Sequence, residues 1–173
     1  MTMIVDLLSV TDEPLPFDFG IAPDEIDLET DGVRVTGEIR FKGELSKNAA
    51  KTDVKGTITA PLEIDCTRCL TPVRRTLEVA FQADFVGKEL FPNSRETHLE
   101  SSDLDTDVLE GNELDLSQMA REQILLNLPE QVLCREDCKG ICPTCGKDLN
   151  EGECKCREDE IDPRWAALKD LKS

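Results

Sequence analysis

Cys142-Pro143-Thr144-Cys145-Gly146, followed after seven residues by Cys154-Lys155-Cys156, is the stretch whose residue types most plainly imply chemistry. Pro143 sets one φ angle, and Gly146 permits the left-handed turn that follows. Both sulfurs of such a knuckle can aim at one point, and Cys154 and Cys156 can supply two more. Four thiolates at this spacing suit tetrahedral zinc. A closed four-cysteine shell leaves no position for water or substrate, so the implied chemistry is structural rather than catalytic. The plainer alternative is buried thiols acting as small apolar residues. Paired spacings argue against it, because single core cysteines do not fall into pairs.

The remaining cysteines extend the pattern. Cys66-Thr67-Arg68-Cys69 is a second Cys-x-x-Cys, and Cys134 and Cys138 lie just upstream of the knuckle. Eight cysteines make two complete shells. Short loops cost less entropy to close. That favours Cys66, Cys69, Cys134 and Cys138 in one shell and Cys142, Cys145, Cys154 and Cys156 in the other, with two zinc ions per chain. A competing assignment joins Cys138, Cys142 and Cys145 to either Cys154 or Cys156. Spacing alone leaves both open.

Other cysteine chemistry fits less well. Disulfides need an oxidising compartment. Met1 to Val10 carries no Lys or Arg, and Asp6 breaks its apolar run, so no secretory signal is expected. No stretch has the apolar length of a membrane span. The chain therefore reads as cytoplasmic, with no membrane partner. A thioredoxin-like role for Cys66 and Cys69 lacks the βαβ context it needs. Four thiolates also fit iron–sulfur chemistry, but without the usual ferredoxin spacing.

Composition narrows the partners. The chain has 173 residues and a formal net charge of −17, enough for one domain with appendages or two small ones. Such charge opposes a broad grip on nucleic-acid phosphates and favours basic protein partners. Acidity also simply confers solubility. Nine acids and no Lys or Arg precede Arg34, and Glu96 to Asp115 carries eight acids and no Lys or Arg. Such blocks usually stay solvated. Basic residues gather elsewhere: Arg34, Arg40 and Lys42, then Arg68, Arg74 and Arg75, then Arg135, Lys139, Lys147, Lys155 and Arg157. They could form a positive face. Neutralisation by nearby acids is the simpler reading of each.

These side chains need elements to hold them. Val33, Val35, Ile39 and Phe41 alternate on one strand face. Val54, Ile58, Ala60, Leu62 and Ile64 do so on a second, and Val73, Leu77, Val79, Phe81, Ala83 and Phe85 on a third. Period two argues half-buried strands. Cys66 then closes a strand, and the first pair sits at a hairpin tip. Lys42 to Asp53 reads as a polar, wide hairpin, and Ile4 to Leu8 as an added edge strand. Gly87 to Gly111 reads as a long acidic loop. Asp103, Asp105 and Asp107 miss the EF-hand register, and His98 has no partner nearby in sequence. Leu116, Met119, Ala120, Ile124 and Leu128 follow a helical period, with Asp115 as cap and Pro129 as stop. A short tail helix is expected from Asp162 and Pro163, carrying Trp165, Leu168 and Leu171.

The run from Leu133 to Cys156 closely resembles the cysteine cluster of the YceD family, the large ribosomal RNA subunit accumulation proteins. Cys66-Thr67-Arg68-Cys69-Leu70-Thr71-Pro72-Val73 resembles that family's earlier Cys-x-Arg-Cys motif. Pro163-Arg164-Trp165-Ala166-Ala167-Leu168-Lys169 resembles its terminal helix. The resemblance implies a role in synthesis, processing or stability of large-subunit ribosomal RNA. It implies no catalytic residues, and it implies that the first cysteine pair and the later cluster are separable.

The expected fold is α+β: a small antiparallel sheet packed by one helix, with a zinc-stapled knuckle and a short tail helix. The expected division is an acidic segment at 1–32, a β-rich domain with its helix at 33–130, and a cysteine cluster with tail helix at 131–173. The expected function is a non-enzymatic ribosome-biogenesis factor that binds a basic ribosomal protein or a nascent large-subunit particle. A direct RNA-binding zinc protein and a cytosolic thiol redox protein are the alternatives.

Overall fold

Period-two alternation builds most of this molecule. The computed structural model describes residues 3–11, 13–48, 51–88 and 106–156. Strands β1 (Ile4–Asp6), β2 (Leu15–Ile21), β3 (Val33–Val35), β4 (Ile39–Lys47), β5 (Thr52–Asp65), β6 (Pro72–Gly87), β7 (Thr106–Leu109) and β8 (Glu113–Asp115) precede helix α1 (Leu116–Leu126). There are two sheets rather than one small one. The larger runs β2-β4-β5-β6-β7, with β3 also on β5, and the smaller pairs β1 with β8. The larger sheet is not wholly antiparallel, because β7 runs parallel to β6.

Three further expectations are corrected. β4 continues to Lys47, so the polar connection after Lys42 is mostly strand: Leu45 is fully buried and pairs with Val54. The turn closes between Asn48 and Lys51, whose backbones and the Asn48 side chain hydrogen-bond. The loop expected from Gly87 to Gly111 contains β7, and β8 follows it. Both are short segments among acids that become strands against β6 and β1. The amino-terminal apolar run pairs with β8 and not with the main sheet. The main sheet's edge is β2, where Pro16 is tolerated because only one side of the strand is paired. Residues 89–105 and 157–173, including His98, Asp103, Asp105 and the expected tail helix with Trp165, lie outside the described residues.

β3 and β4 share one edge of β5 with a break between them. Val35 pairs with Leu62 and Arg40 with Thr59. Pro61 sits at the break and cannot donate a ladder hydrogen bond. Thr36 compensates by donating from both N–H and hydroxyl to the Pro61 carbonyl.

The core lies on the face carrying Ile39, Phe41, Leu45, Val54, Ile58, Ala60 and Leu62, all fully buried. Phe41 centres an aromatic group, with ring centroids 4.9 Å from Phe17, 5.4 Å from Phe19 and 5.2 Å from Phe81. α1 adds Leu116, Met119, Ala120 and Ile124 to the same cluster. Asp115 caps α1 by accepting from Ser117 and Gln118 N–H at 2.9 and 3.0 Å. Arg121 ties the helix to the turn before β3, donating to the Asp27 carbonyl and the Glu29 carboxylate. The helix thus delivers the chain to Val132, buried beside the β5–β6 hairpin tip.

Gly43 and Gly56 face each other across β4 and β5. A Cβ on Gly43 would fall 2.3 Å from the Lys55 carbonyl oxygen and 2.7 Å from Phe17 Cζ. The Phe17 ring occupies the space a side chain would need. Gly43→Ala should therefore cost about 1–3 kcal/mol of stability, read as a lower urea midpoint.

Candidate metal centres

The first knuckle is made by the tight turn from β5 to β6. Cys66 N–H donates to the Thr71 carbonyl, and Leu70 N–H returns to the Cys66 carbonyl at 2.9 Å. Leu70 sits at φ +61°, the left-handed conformation that a turn after Cys-x-x-Cys requires. Gly146 holds the matching place after Cys142-x-x-Cys145, at φ +71°, with its N–H on the Cys142 carbonyl at 2.8 Å. The two knuckles are one local design written twice, once with glycine and once with leucine.

Eight sulfurs form two groups, Cys66, Cys69, Cys134 and Cys138 in one and Cys142, Cys145, Cys154 and Cys156 in the other. Within each group all four lie within 4.8 Å of one another, close enough to hold a metal ion. Cys66 and Cys138 are 3.8 Å apart, Cys69 and Cys134 3.5 Å, and Cys142 and Cys154 3.4 Å. A tetrahedral ion about 2.3 Å from each thiolate would set neighbouring sulfurs roughly 3.8 Å apart. The first group is the more buried: Cys66, Cys69 and Cys138 are in the interior, whereas only Cys142 is in the second.

The surroundings favour the thiolate at Cys66, Cys138 and Cys142. Burial pushes the Cys66 thiol up, but backbone N–H groups of Arg68, Cys69 and Cys134 outweigh it and bring it down to about 6. The Cys145 and Thr144 N–H groups bring Cys142 down to about 6 as well. The Asn150 amide, donating to Sγ at 3.4 Å, draws Cys138 down. Cys134 is pushed up to about 12 by its neighbour Cys69 and by burial, and Cys156 to about 12 by Cys145 and burial. Each group thus has acidic thiols that seed it and others whose protons a bound cation must displace.

Some contributing residues carried no visible signal in the sequence. Asn150 donates to Cys138 Sγ while its Oδ1 accepts the Lys139 N–H at 2.8 Å, so it ties the loop between Cys145 and Cys154 to the first sulfur group. Arg68 donates to the Cys138 carbonyl, and its own carbonyl accepts from Ile141 N–H. Gly140, at φ +77°, lets that strap pass: a Cβ there would meet the Arg68 carbonyl at 3.0 Å. Three of the arginines on the sheet are answered by acids. Arg34 pairs with Glu63 and Asp65, Arg40 with Asp18 and Glu38, and Arg74 with Glu63. No helix among the described residues is long and apolar enough to cross a membrane.

Fold and site together define a sheet protein whose later segment folds around two cysteine tetrads, one anchored on the sheet. The chain belongs to the YceD family: the family model described as large ribosomal RNA subunit accumulation protein YceD matches residues 54–172. It is 37% identical over 118 residues to an uncharacterized protein of Mycobacterium tuberculosis, covering 68% of this chain and 54% of that protein. It is 27% identical over 169 residues to the uncharacterized protein YlbN of Bacillus subtilis, covering 97% of this chain and 94% of that one. It is 33% identical over 63 residues to the chloroplastic large ribosomal RNA subunit accumulation protein YCED homolog 1 of Arabidopsis thaliana, covering 36% and 20%. The chain spans about half the length of the mycobacterial relatives it matches. No solved structure matches it at a significant level.

Two outcomes follow from this geometry. Leu70→Gly should raise stability by about 0.5–1 kcal/mol by relieving a left-handed leucine, seen as a higher thermal midpoint. Gly146→Ala meets open space and should cost only the backbone strain, about 1 kcal/mol, and Gly140→Ala should cost more because the Arg68 carbonyl is in the way. Binding of a divalent metal at neutral pH should release protons, and affinity should fall as pH falls. Calorimetry in two buffers of different ionisation enthalpy reads the proton count.

Proposed function

We propose that this protein supports accumulation of large-subunit ribosomal RNA by binding, without catalysis, and that each cysteine tetrad holds one zinc ion. Family membership carries the process, and the matched residues 54–172 include all eight cysteines. Relatives from Arabidopsis thaliana and Zea mays are named for that role. Thiolate-only shells suit zinc. A multi-iron cluster would spread the four cysteines over two or four iron atoms and hold sulfurs on different irons farther apart than the 4.8 Å that bounds each group. A closed shell offers no open coordination position, which supports a structural role for the metal. Zinc binding can contribute on the order of 10 kcal/mol to folding a small module, and residues 134–156 have little apolar core of their own.

The partner on this reading is a basic ribosomal protein or a nascent large-subunit particle presenting one. The net charge of −17 favours it, and the paired arginines of the sheet weaken the RNA-binding alternative. Cysteine used as a metal ligand suits a reducing compartment such as the cytoplasm.

Elemental analysis of protein purified without added metal should find two zinc ions per chain. One zinc, or iron with a visible chromophore, would reject that assignment. Cys66→Ser should loosen the β5–β6 tip and the end of α1, whereas Cys145→Ser should mainly expose residues after Cys138 to hydrogen exchange. Depletion of the protein should lower the ratio of large to small subunits, and captured partners should survive ribonuclease. An unchanged ratio removes the biogenesis role. Capture that ribonuclease abolishes, with tight RNA binding by the pure protein, moves the case to RNA.

A further inference from the structure

The charge of this molecule is unevenly placed, and one groove concentrates it. Between the β6–β7 edge and the start of α1 lies a groove of about 340 Å³. Its floor is apolar, made of Ala83, Phe85, Leu109, Leu114 and Met119, and Val108 stands at the side, 41% exposed. Its rim is acidic: Asp107, Glu110, Glu113 and Glu122. Among the described residues, no Lys or Arg lines it. Glu110 is answered by Lys88 at 2.6 Å. Asp115, also in the lining, is spent on the helix cap. Among the described residues, Asp107, Glu113 and Glu122 have no cationic partner.

An apolar floor gives no ligands to a simple cation, and an acidic rim repels phosphate. The combination fits a polypeptide that brings an apolar side chain flanked by Lys or Arg. Two occupants within reach are poorly matched. A second copy of a chain with net charge −17 would oppose the rim. Residues 89–105 carry Glu89, Glu96, Glu100, Asp103 and Asp105 against Arg95, again the wrong sign. We propose that this groove is the docking site for a basic amphipathic segment of a protein partner, its apolar residue on Phe85, Leu109 and Met119 and its cations on Asp107, Glu113 and Glu122. This rests on the reading of a basic protein partner given above, and places that partner on one face of the fold.

The test uses the full chain and two labelled peptides of equal charge, an amphipathic Lys/Leu helix and an all-Lys chain, followed by fluorescence anisotropy. The Lys/Leu peptide should bind the tighter. Asp107→Lys with Glu122→Lys should weaken it by about tenfold or more, and Val108→Ser should weaken it while sparing the all-Lys peptide. Glu113→Gln with Glu122→Gln gives a milder loss and covers the case in which the lysine variant fails to fold. Glu38→Lys with Glu78→Lys, the same charge change on the opposite sheet face, should alter binding by less than about twofold. Equal loss from both lysine pairs, or equal affinity for both peptides, would reduce the effect to general attraction and overturn the proposal. So would binding that appears only after removal of residues 157–173, because Arg164, Lys169 and Lys172 beside Trp165 would then be the occupant. Capture from lysate separates the two readings. If the groove variant still captures the same basic proteins, the groove is wrong and the partner class stands. If the unaltered chain captures none, the partner class is wrong.

Discussion

Four sulfurs from distant parts of the chain meet at the tip of the longest hairpin, and the rest of the cysteine segment depends on that meeting. Cys66 and Cys138 are 72 residues apart in sequence and 3.8 Å apart in space. The chain after α1 has little to bury. Only Val132, Cys138 and Cys142 among residues 127–156 count as buried apolar positions. Such a segment cannot repay its ordering entropy by hydrophobic burial alone. The convergence of thiolates is the interaction that can hold it, and the neighbouring hydrogen bonds give it direction. Thr67 donates to the Val132 carbonyl, Arg68 grips the segment at Cys138 and Ile141, and Asn150 ties the following loop back to Cys138.

The sheet domain supplies rigidity to that anchor. β5 pairs with β6 over its whole length, from Thr52 with Phe85 to Asp65 with Pro72. Leu62, Ile64 and Cys66 continue one buried face, so the core runs unbroken into the first sulfur group. The second tetrad has no such foundation. Its segment is tied to the hairpin tip by the Ile141 N–H on the Arg68 carbonyl, and its sulfurs are the less buried. The opposite end of the sheet, where β7 meets α1, is built from acids over an apolar floor. The first cysteine tetrad and the acidic groove thus lie at separate ends of one hairpin.

Much of this arrangement was legible in the residues. Alternation located β5, β6 and the core face of β4, and Asp115 marked the start of α1. Local signals suffice there because each residue's role depends on near neighbours. The strands that escaped notice are short or irregular by composition. β2 contains Pro16, β7 sits among acids, and β8 is three residues long. Their strand character comes from the partner across the ladder, β4, β6 or β1, and not from their own propensity. The break at Pro61 was equally invisible, since it is a relation between two strands.

The sequence by itself determined which atoms could bind a metal, in what local knuckles, and with what net charge around them. Cysteine spacing, Gly146 and the acid count are properties of short windows, and short windows are enough to state them. The tertiary structure alone decided how the eight sulfurs group, because grouping depends on where a hairpin tip meets the end of a helix. It also decided that Leu70 carries the strain that Gly146 avoids, that Asn150 reaches back to Cys138, and that acids from β7, β8 and α1 line one groove. Each is a contact between segments far apart in the chain, and the spacing of residues along a chain holds no record of such distances until the core has packed.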